Sequence, residues 1–327
     1  MDTTLKFPVT YSLVSSKAIE VGLIPLYNLP QNSKVLFIHQ GINDTYLITT
    51  SEANFILRIY RANWKTIEEV GAELDLLLLL SDNGLSVSCP LSDKSGKLIQ
   101  KMYCPEGMRC AVIFSHAPGE CLSNLNAENA NLFGQYVGHL HNVTANLNLQ
   151  GFSRQYTVKE VLTSAKRSLQ LLMSNTGEVF DRVDNIFDCV ERILSKDLLM
   201  DIRTGICHGD LHHENLFFEA SAGKITLFDF DFCGHGYLIY DLASFCRYER
   251  NSPENQANFF EGYEKVRPLN QVEKENLPYF EVLMRVFHLG ARAVNADGVK
   301  NPKWLQRDIE RTVYDIDVQL SNIINAK

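Results

Sequence analysis

The sequence predicts an α+β fold in two lobes: a small antiparallel β-sheet lobe with one helix over residues 1–115, and a larger, mainly helical lobe over residues 116–327. Three observations carry that reading. The first third consists of short β-branched and aromatic runs punctuated by turn residues, the signature of hairpins. Within it, one long segment repeats apolar residues at three- and four-residue steps, the period of a helix packed on one side. After Pro118-Gly119 the texture becomes helical, interrupted by strand-like runs around "ICHGDLHHENLFF".

In chain order, "KVLFIHQ", "TYLITT" and "NFILRIYR" are expected strands, joined through "GIND" and "SEAN" as a meander of hairpins. "KTIEEVGAELDLLLLLSDNGL" is expected to be a helix, with Ile67, Val70, Leu74, Leu77 and Leu78 recurring at helical spacing and Gly84 as its stop. "KLIQKMYC" and "RCAVIFSHAPG" read as two more strands, with the lobe boundary near "SHAPG". Beyond it, "AENANLFGQYVGHLHNVTANL", much of 157–198 and most of 253–327 read as helices, while "NLFFE" and "KITLFDFDF" read as a hairpin.

Composition narrows the function classes. A chain of 327 residues is long enough for two domains or one large two-lobed one, and 45% hydrophobic with 21% charged residues is ordinary for a globular protein. The net charge of −8 gives no overall attraction to nucleic acid or to an anionic membrane. The most apolar run, "LDLLLLL" at 74–80, is far shorter than the roughly 20 residues of a membrane helix. The N-terminus lacks a basic region followed by an apolar core, so no signal peptide is expected. The eight cysteines show no CxxC spacing and are expected to be reduced thiols in the cytoplasm.

The chemistry concentrates in "HGDLHHEN". Asp210 and Asn215 lie five residues apart, and Asp229 follows fourteen residues later at the end of the apolar strand "KITLF". That ordered trio suits phosphoryl transfer from a nucleotide: one carboxylate, Asp210, takes or orients the proton of the attacking hydroxyl, while Asn215 and Asp229 hold Mg²⁺ against the triphosphate. A hard divalent cation requires oxygen ligands, and an asparagine supplies one without adding negative charge beside the phosphates.

The spacing matches the protein-kinase pattern H-R-D-L-x-x-x-N followed by D-F-G, with Gly209 in place of the arginine and Asp231 in place of the last glycine. In that variant form the chain resembles the aminoglycoside phosphotransferase and choline kinase family, whose fold is protein-kinase-like. "HGDLHHEN", the strand ending in Asp229 and "YDLAS" at 240–244 carry the resemblance. It implies an ATP- and Mg²⁺-dependent kinase acting on an alcohol. It further implies that Gly41 and Asn43 of "GIND" belong to the first nucleotide-binding hairpin. Arg58 of "FILRIYR" would contact the nucleotide phosphates, paired with Glu73, and Ser115 and His116 would form the hinge that meets adenine. Asp241 would bond the backbone of the catalytic loop. By the family, homoserine, choline-like amino alcohols and aminoglycosides are acceptors, with the "LMRVFHLGARAVNADGVKNPKW" segment expected to help form the acceptor site; this segment, with a helix around Arg285, is most similar to the homoserine kinase-like and stress-response kinase branches.

Other readings stand beside these. His208 is expected to be a packed histidine that orients the loop. His212 and His213 suggest a zinc site or a wall of the acceptor site, but adjacent histidines point differently and no third ligand lies at zinc spacing. Asp231 is either a second Mg²⁺ ligand or an acid that fixes the loop. Tyr237, Tyr240, Phe245 and Trp304 are expected in the core. Only eleven residues separate Asp229 from Asp241 and no A-P-E follows, so a phosphorylated activation loop is not expected. A Ser/Thr protein kinase of the same fold is the alternative. A metal-dependent hydrolase lacks the upstream D-x-H ligands, a glycosyltransferase using Asp229 and Asp231 lacks an upstream parallel sheet, and a pseudokinase would lack the acidic groups that this chain has.

Overall fold

The computed structural model describes residues 7–145, 147–172, 177–295 and 302–326. Residues 296–301, within the "AVNADGVKNPKW" stretch, fall outside that set, as does the side chain of Trp304. The chain forms two compact units: the first comprises Met1–Glu120, Leu149–Phe152 and Phe217–Phe228, the second Cys121–Asn148, Ser153–Leu216 and Asp229–Lys327.

The first unit opens with α1 (Ser16–Gly22), followed by β1 (Lys34–Gln40), β2 (Asp44–Thr49), β3 (Asn54–Ile59), α2 (Ile67–Asp82), β4 (Gln100–Cys104) and β5 (Gly107–Ser115). The five strands make one antiparallel sheet in the order β1-β2-β3-β5-β4. Alternate residues of β2 and β3 face the core, with Tyr46, Ile48, Leu57 and Ile59 fully buried and packed against Ile19, Leu23 and Tyr27 from α1 and the segment after it. This is the period-2 burial of a sheet with one covered face. The helix α2 starts with a capping box, in which Thr66 accepts from the Glu69 amide while Glu69 accepts from the Thr66 amide. It ends just before Gly84, which takes φ +82°.

One cation lies in the core of this unit. Arg109 is fully buried; it donates to Asp44 Oδ2 at 2.7 Å and to the carbonyls of Tyr60, Ile59 and Ser12. The arginine cross-links strands β2, β3 and β5 to the N-terminal segment.

After β6 (Glu120–Cys121), the second unit contains α3 (Ala127–Thr144), β7 (Gln155–Tyr156), α4 (Val158–Leu172), α5 (Glu178–Ile193), α6 (Lys196–Leu199) and β8 (Thr204–Cys207). Next come β9 (Leu216–Glu219) and β10 (Lys224–Leu227), the expected hairpin, which the chain contributes largely to the first unit. The second unit resumes with β11 (Gly234–Tyr237), α7 (Ile239–Tyr248), α8 (Pro253–Val266), α9 (Gln271–Asn295) and α10 (Pro302–Asn325). Its core draws Leu162, Val183, Phe187, Tyr240, Phe280, Leu283, Ile309 and Ile316 from five helices. As expected, Tyr240 and Phe245 are buried and Tyr237 packs on that core.

Helices α3 and α8 pack with unusually close backbones. A Cβ on Gly134 would lie 1.9 Å from the Phe259 carbonyl oxygen, so only glycine admits this approach.

Two details differ from the sequence expectation. The strand expected over "KITLFDFDF" stops at Leu227: Asp229 adopts the left-handed conformation, φ +63° and ψ +59°, and Phe230–Phe232 form a 3₁₀ turn. A left-handed residue cannot continue a strand. The short strands β7, β8 and β11, and helix α7, were not expected. Among the described residues no helix is long and apolar enough to cross a membrane. All eight cysteines are free.

Candidate active site

Strands β8 and β11 pair antiparallel, with Cys207 opposite Gly234. The loop that follows Cys207 and the segment that precedes Gly234 therefore leave the ladder at the same end. The first is His208–Asn215, the second Asp229–Cys233. Sequence positions about twenty apart are neighbours for this reason, and the ring of His208 packs on Phe230 with centroids 4.5 Å apart.

The loop is held from beneath by Asp241, at the start of α7. Its Oδ2 accepts from the His208 amide at 2.7 Å and its Oδ1 from the Gly209 amide at 2.8 Å. Asp241 is fully buried, and His141 Nε2 of α3 lies 3.2 Å from the same Oδ2. His141 Nδ1 in turn meets the Tyr263 hydroxyl of α8 at 3.0 Å. The close packing of α3 on α8 thus ends on the carboxylate that fixes the loop.

Gly209 explains its own departure from the kinase pattern. It takes φ +86°, and a Cβ there would lie 2.3 Å from both the Phe232 carbonyl oxygen and the Tyr156 hydroxyl. An arginine has no room at this position.

Asp210 is the half-buried carboxylate of the loop. Its amide faces His208 Nδ1 at 3.3 Å, the orienting contact expected of a packed histidine. Its carboxylate faces two histidines: His212 Nε2 is 3.5 Å from Oδ2, and His288 Nε2, from α9, is 3.6 Å from Oδ1. Burial pushes the Asp210 carboxyl up, but the contact with His212 and the positive potential of His288, His212 and His208 outweigh it and bring it down to about 2.

Asn215 Nδ2 donates to the Asp210 carbonyl at 2.9 Å, which assigns the nitrogen end of the amide. The same nitrogen lies 3.0 Å from His212 Nε2. Asn215 is itself buried.

The two adjacent histidines diverge. His212 stacks on Tyr248 with centroids 3.8 Å apart, while His213 Nδ1 meets Glu249 Oε1 at 2.7 Å. Among the described residues no group of three His, Cys, Asp or Glu side chains is arranged to hold a metal ion. Asp229 begins the neighbouring segment in its left-handed conformation, and buried Asp231 is clasped through its carbonyl by Arg154 Nη1 at 2.9 Å. Oxygen donors from Asn215 and Asp229 fit a hard cation such as Mg²⁺ better than zinc.

In the first unit the expected ion pair forms. Arg58 Nη1 lies 3.4 Å from Glu73 Oε1, and Glu73 is fully buried in α2. Glu73 has two further partners: the Tyr60 hydroxyl at 3.1 Å and Lys65 Nζ at 2.6 Å. Lys65 is thus the closer cation, and sequence reasoning missed it because a lysine just before a helix cap reads as a solvated side chain. Arg58 also lies over the rings of Phe114 and Tyr60. Asn43 accepts from the Arg61 amide at 3.1 Å and Gly41 donates to the Asn43 carbonyl, so this hairpin end is internally braced. Ser115 exchanges hydrogen bonds with Cys89, and His116 packs edge-on against Phe217.

His288 and Tyr248 were also missed. His288 lies 78 positions beyond Asp210 and no local signal marks it; the helical period of α9 alone could have turned it toward the loop side.

The arrangement has counterparts. The chain is similar to a homoserine kinase of Gluconobacter oxydans (strain 621H), 28% identical over 255 residues that cover 74% of this chain and 76% of that one. Its fold is that of a microcompartment-associated aminopropanol kinase (TM-score 0.78, 20% identity, 95% of this chain and 97% of that one). It is also similar in fold to an amicoumacin kinase, hAmiN, solved with AMP-PNP, Ca²⁺ and Ami (TM-score 0.74, 21% identity, 93% of this chain and 92% of that one). A model of the phosphotransferase enzyme family matches residues 35–272, a span that runs from β1 to the start of α9 and takes in Arg58, Glu73, Asp210, Asn215, Asp229 and Asp241. Over nearly three quarters of its length, and through the whole of the loop that Asp241 holds, the chain belongs to the phosphotransferase enzyme family.

Proposed function

We propose that the protein moves the γ-phosphoryl group of ATP to a hydroxyl of a small molecule, in the presence of Mg²⁺. The observation that carries this reading is the braced loop in which the Asp210 carboxylate stands between His212 and His288 while Asn215 Nδ2 donates to the Asp210 carbonyl. Asp210 accepts or orients the proton of the acceptor hydroxyl as its oxygen attacks phosphorus. A base with a low pKa fits a loose transition state, in which the hydroxyl proton is lost late and little proton affinity is required.

Asn215 and Asp229 would hold the divalent ion, which supplies charge neutralisation on the phosphate oxygens when bound. Arg58 contacts the nucleotide phosphates, held in orientation by Glu73, which Lys65 also meets; Gly41 and Asn43 shape the hairpin near the nucleotide, and Ser115 and His116 meet its base. Asp231 fixes the loop through its backbone contact with Arg154, and His208 and Asp241 are positioning residues. The similarity to homoserine, aminopropanol and amicoumacin kinases supports a small acceptor that carries both a hydroxyl and an amine.

The test is turnover. Purified protein with ATP and Mg²⁺ should release ADP in step with a new phosphate monoester, seen by phosphorus NMR, on at least one amino alcohol. ADP release that yields only inorganic phosphate across amino alcohols, hydroxy acids, sugars and aminoglycosides contradicts the reading.

A further inference from the structure

The end of α7, the turn after it, α9 and α10 enclose a cavity of about 630 Å³ in the second unit. Arg247, Arg250, Arg285 and Arg311 line it, against two carboxylates, Asp308 and Asp315. A neighbouring cavity of about 450 Å³ shares Arg247, Arg250 and Arg285.

The two acids pair with two of the four arginines. Asp308 meets Arg311 at 2.9 Å, and Asp315 lies 4.0 Å from Arg285, whose Nη1 meets Gln319 Oε1 at 2.5 Å. Arg247 lies over the ring of Tyr248, 4.4 Å from its centroid, and its buried Nε makes no hydrogen bond among the described residues. Neither Arg247 nor Arg250 has a carboxylate partner among the described residues. Clustered guanidiniums repel one another, and that cost is recovered when an anion enters.

The cavity reaches the loop through two of its walls. His288 lines it and is 3.6 Å from Asp210 Oδ1; Tyr248 lines it and stacks on His212. A molecule whose hydroxyl meets Asp210 would extend its other end toward the arginines. Guanidinium matches a carboxylate or phosphate through paired N–H donors.

We infer that the phosphoryl acceptor is an alcohol bearing an anionic group, a carboxylate or a phosphate, read by Arg247 and Arg250 with Arg285 and Arg311. The inference rests on the phosphotransferase reading above and narrows its substrate class. It disfavours acceptors that are purely cationic, such as choline or an aminoglycoside.

The experiment compares matched alcohols by kcat/KM: L-homoserine with its carboxamide, glycerol 3-phosphate with glycerol, and choline apart. The anionic member of one pair should exceed its neutral partner by about 10- to 100-fold, the range of a charge-assisted pair of hydrogen bonds. The pair that shows it tells carboxylate from phosphate. Arg250→Gln, on an exposed side chain, and Arg247→Gln should each reduce that ratio several-fold, and Arg247→Lys should restore part of it. Turnover in which neutral alcohols or choline match or exceed the anionic members overturns the inference and leaves the phosphotransferase reading standing. If no alcohol is phosphorylated, that reading fails, and calorimetric titration with L-homoserine and glycerol 3-phosphate in the presence of AMP-PNP decides the inference separately. Binding weakened by Arg247→Gln supports it; no binding of either probe overturns it.

Discussion

The carboxylate of Asp241 accepts hydrogen bonds from two successive backbone amides, those of His208 and Gly209, at 2.8 Å or less. An amide side chain could accept only one of them and would turn its own NH₂ toward the other N–H. Asp241→Asn is therefore expected to destabilise the protein by about 2–4 kcal/mol, the range for losing a buried charged acceptor. Urea unfolding measures the stability, and the KM for ATP should change less than kcat, because the loop rather than the nucleotide contacts would be displaced.

Gly209→Ala should cost more than an exposed glycine replacement. Its φ of +86° and the 2.3 Å approach to the Phe232 carbonyl combine strain and overlap. A loss of at least about 2 kcal/mol is expected, since a left-handed non-glycine residue and an overpacked contact each cost roughly 1–3 kcal/mol. Thermal unfolding of the variant checks it, with Gly223→Ala as the comparison, where the added Cβ meets open space.

His288→Ala should raise the pKa of Asp210 toward its ordinary value, because it removes a positive neighbour while burial stays. The wild-type carboxylate, at about 2, stays charged through the usual assay range, so kcat/KM should show no acid limb from this group above pH 4. In the variant any acid limb should move upward, toward the ordinary carboxylate range, and part of the shift should remain because His212 and His208 stay in place. The linked stability has the same sign: a lowered carboxylate pKa stabilises the fold above the unfolded value near 4, and that contribution fades as pH falls toward 2. pH–rate profiles of the two proteins make the comparison.

Glu281 behaves in the opposite way. Burial raises its carboxyl to about 7, and the hydrogen bond with Cys246 and the charge of Arg285 offset only part of that. Its folded pKa lies above the unfolded one, so the native state holds the proton more tightly, and stability declines as pH rises from about 4.5 to 7. Glu281→Gln should stabilise the protein by roughly 2–3 kcal/mol at pH 8 and by little at pH 4. Melting temperatures at the two pH values test it.

Much of this molecule was legible in the sequence for identifiable reasons. Strands β1 to β3 alternate buried and exposed residues, and α2 announces itself through Thr66, Glu69 and its apolar period. Asp210, Asn215 and Asp229 stand out in the sequence by their order and spacing, and the family match takes in all three. What escaped depends on tertiary structure. The left-handed turn at Asp229 ended the expected strand early, because the pairing of β8 with β11 directs the chain there. Lys65 gained its role when α2 brought Glu73 beside it. His288 faces Asp210 because α9 packs on α7, a relation with no local signature. The "TGIC" and "GHGY" runs were too short, and too rich in glycine, to register as strands.

The central claim is that Asp210 acts on the acceptor hydroxyl, and Asp210→Asn tests it most directly. The substitution keeps the shape of the side chain and its place in the loop. Single-turnover phosphate transfer should fall by about 10²–10⁴-fold, the usual contribution of a positioned general base, while the Kd for AMP-PNP stays within about threefold. Transfer at the wild-type rate with nucleotide binding intact would contradict the account.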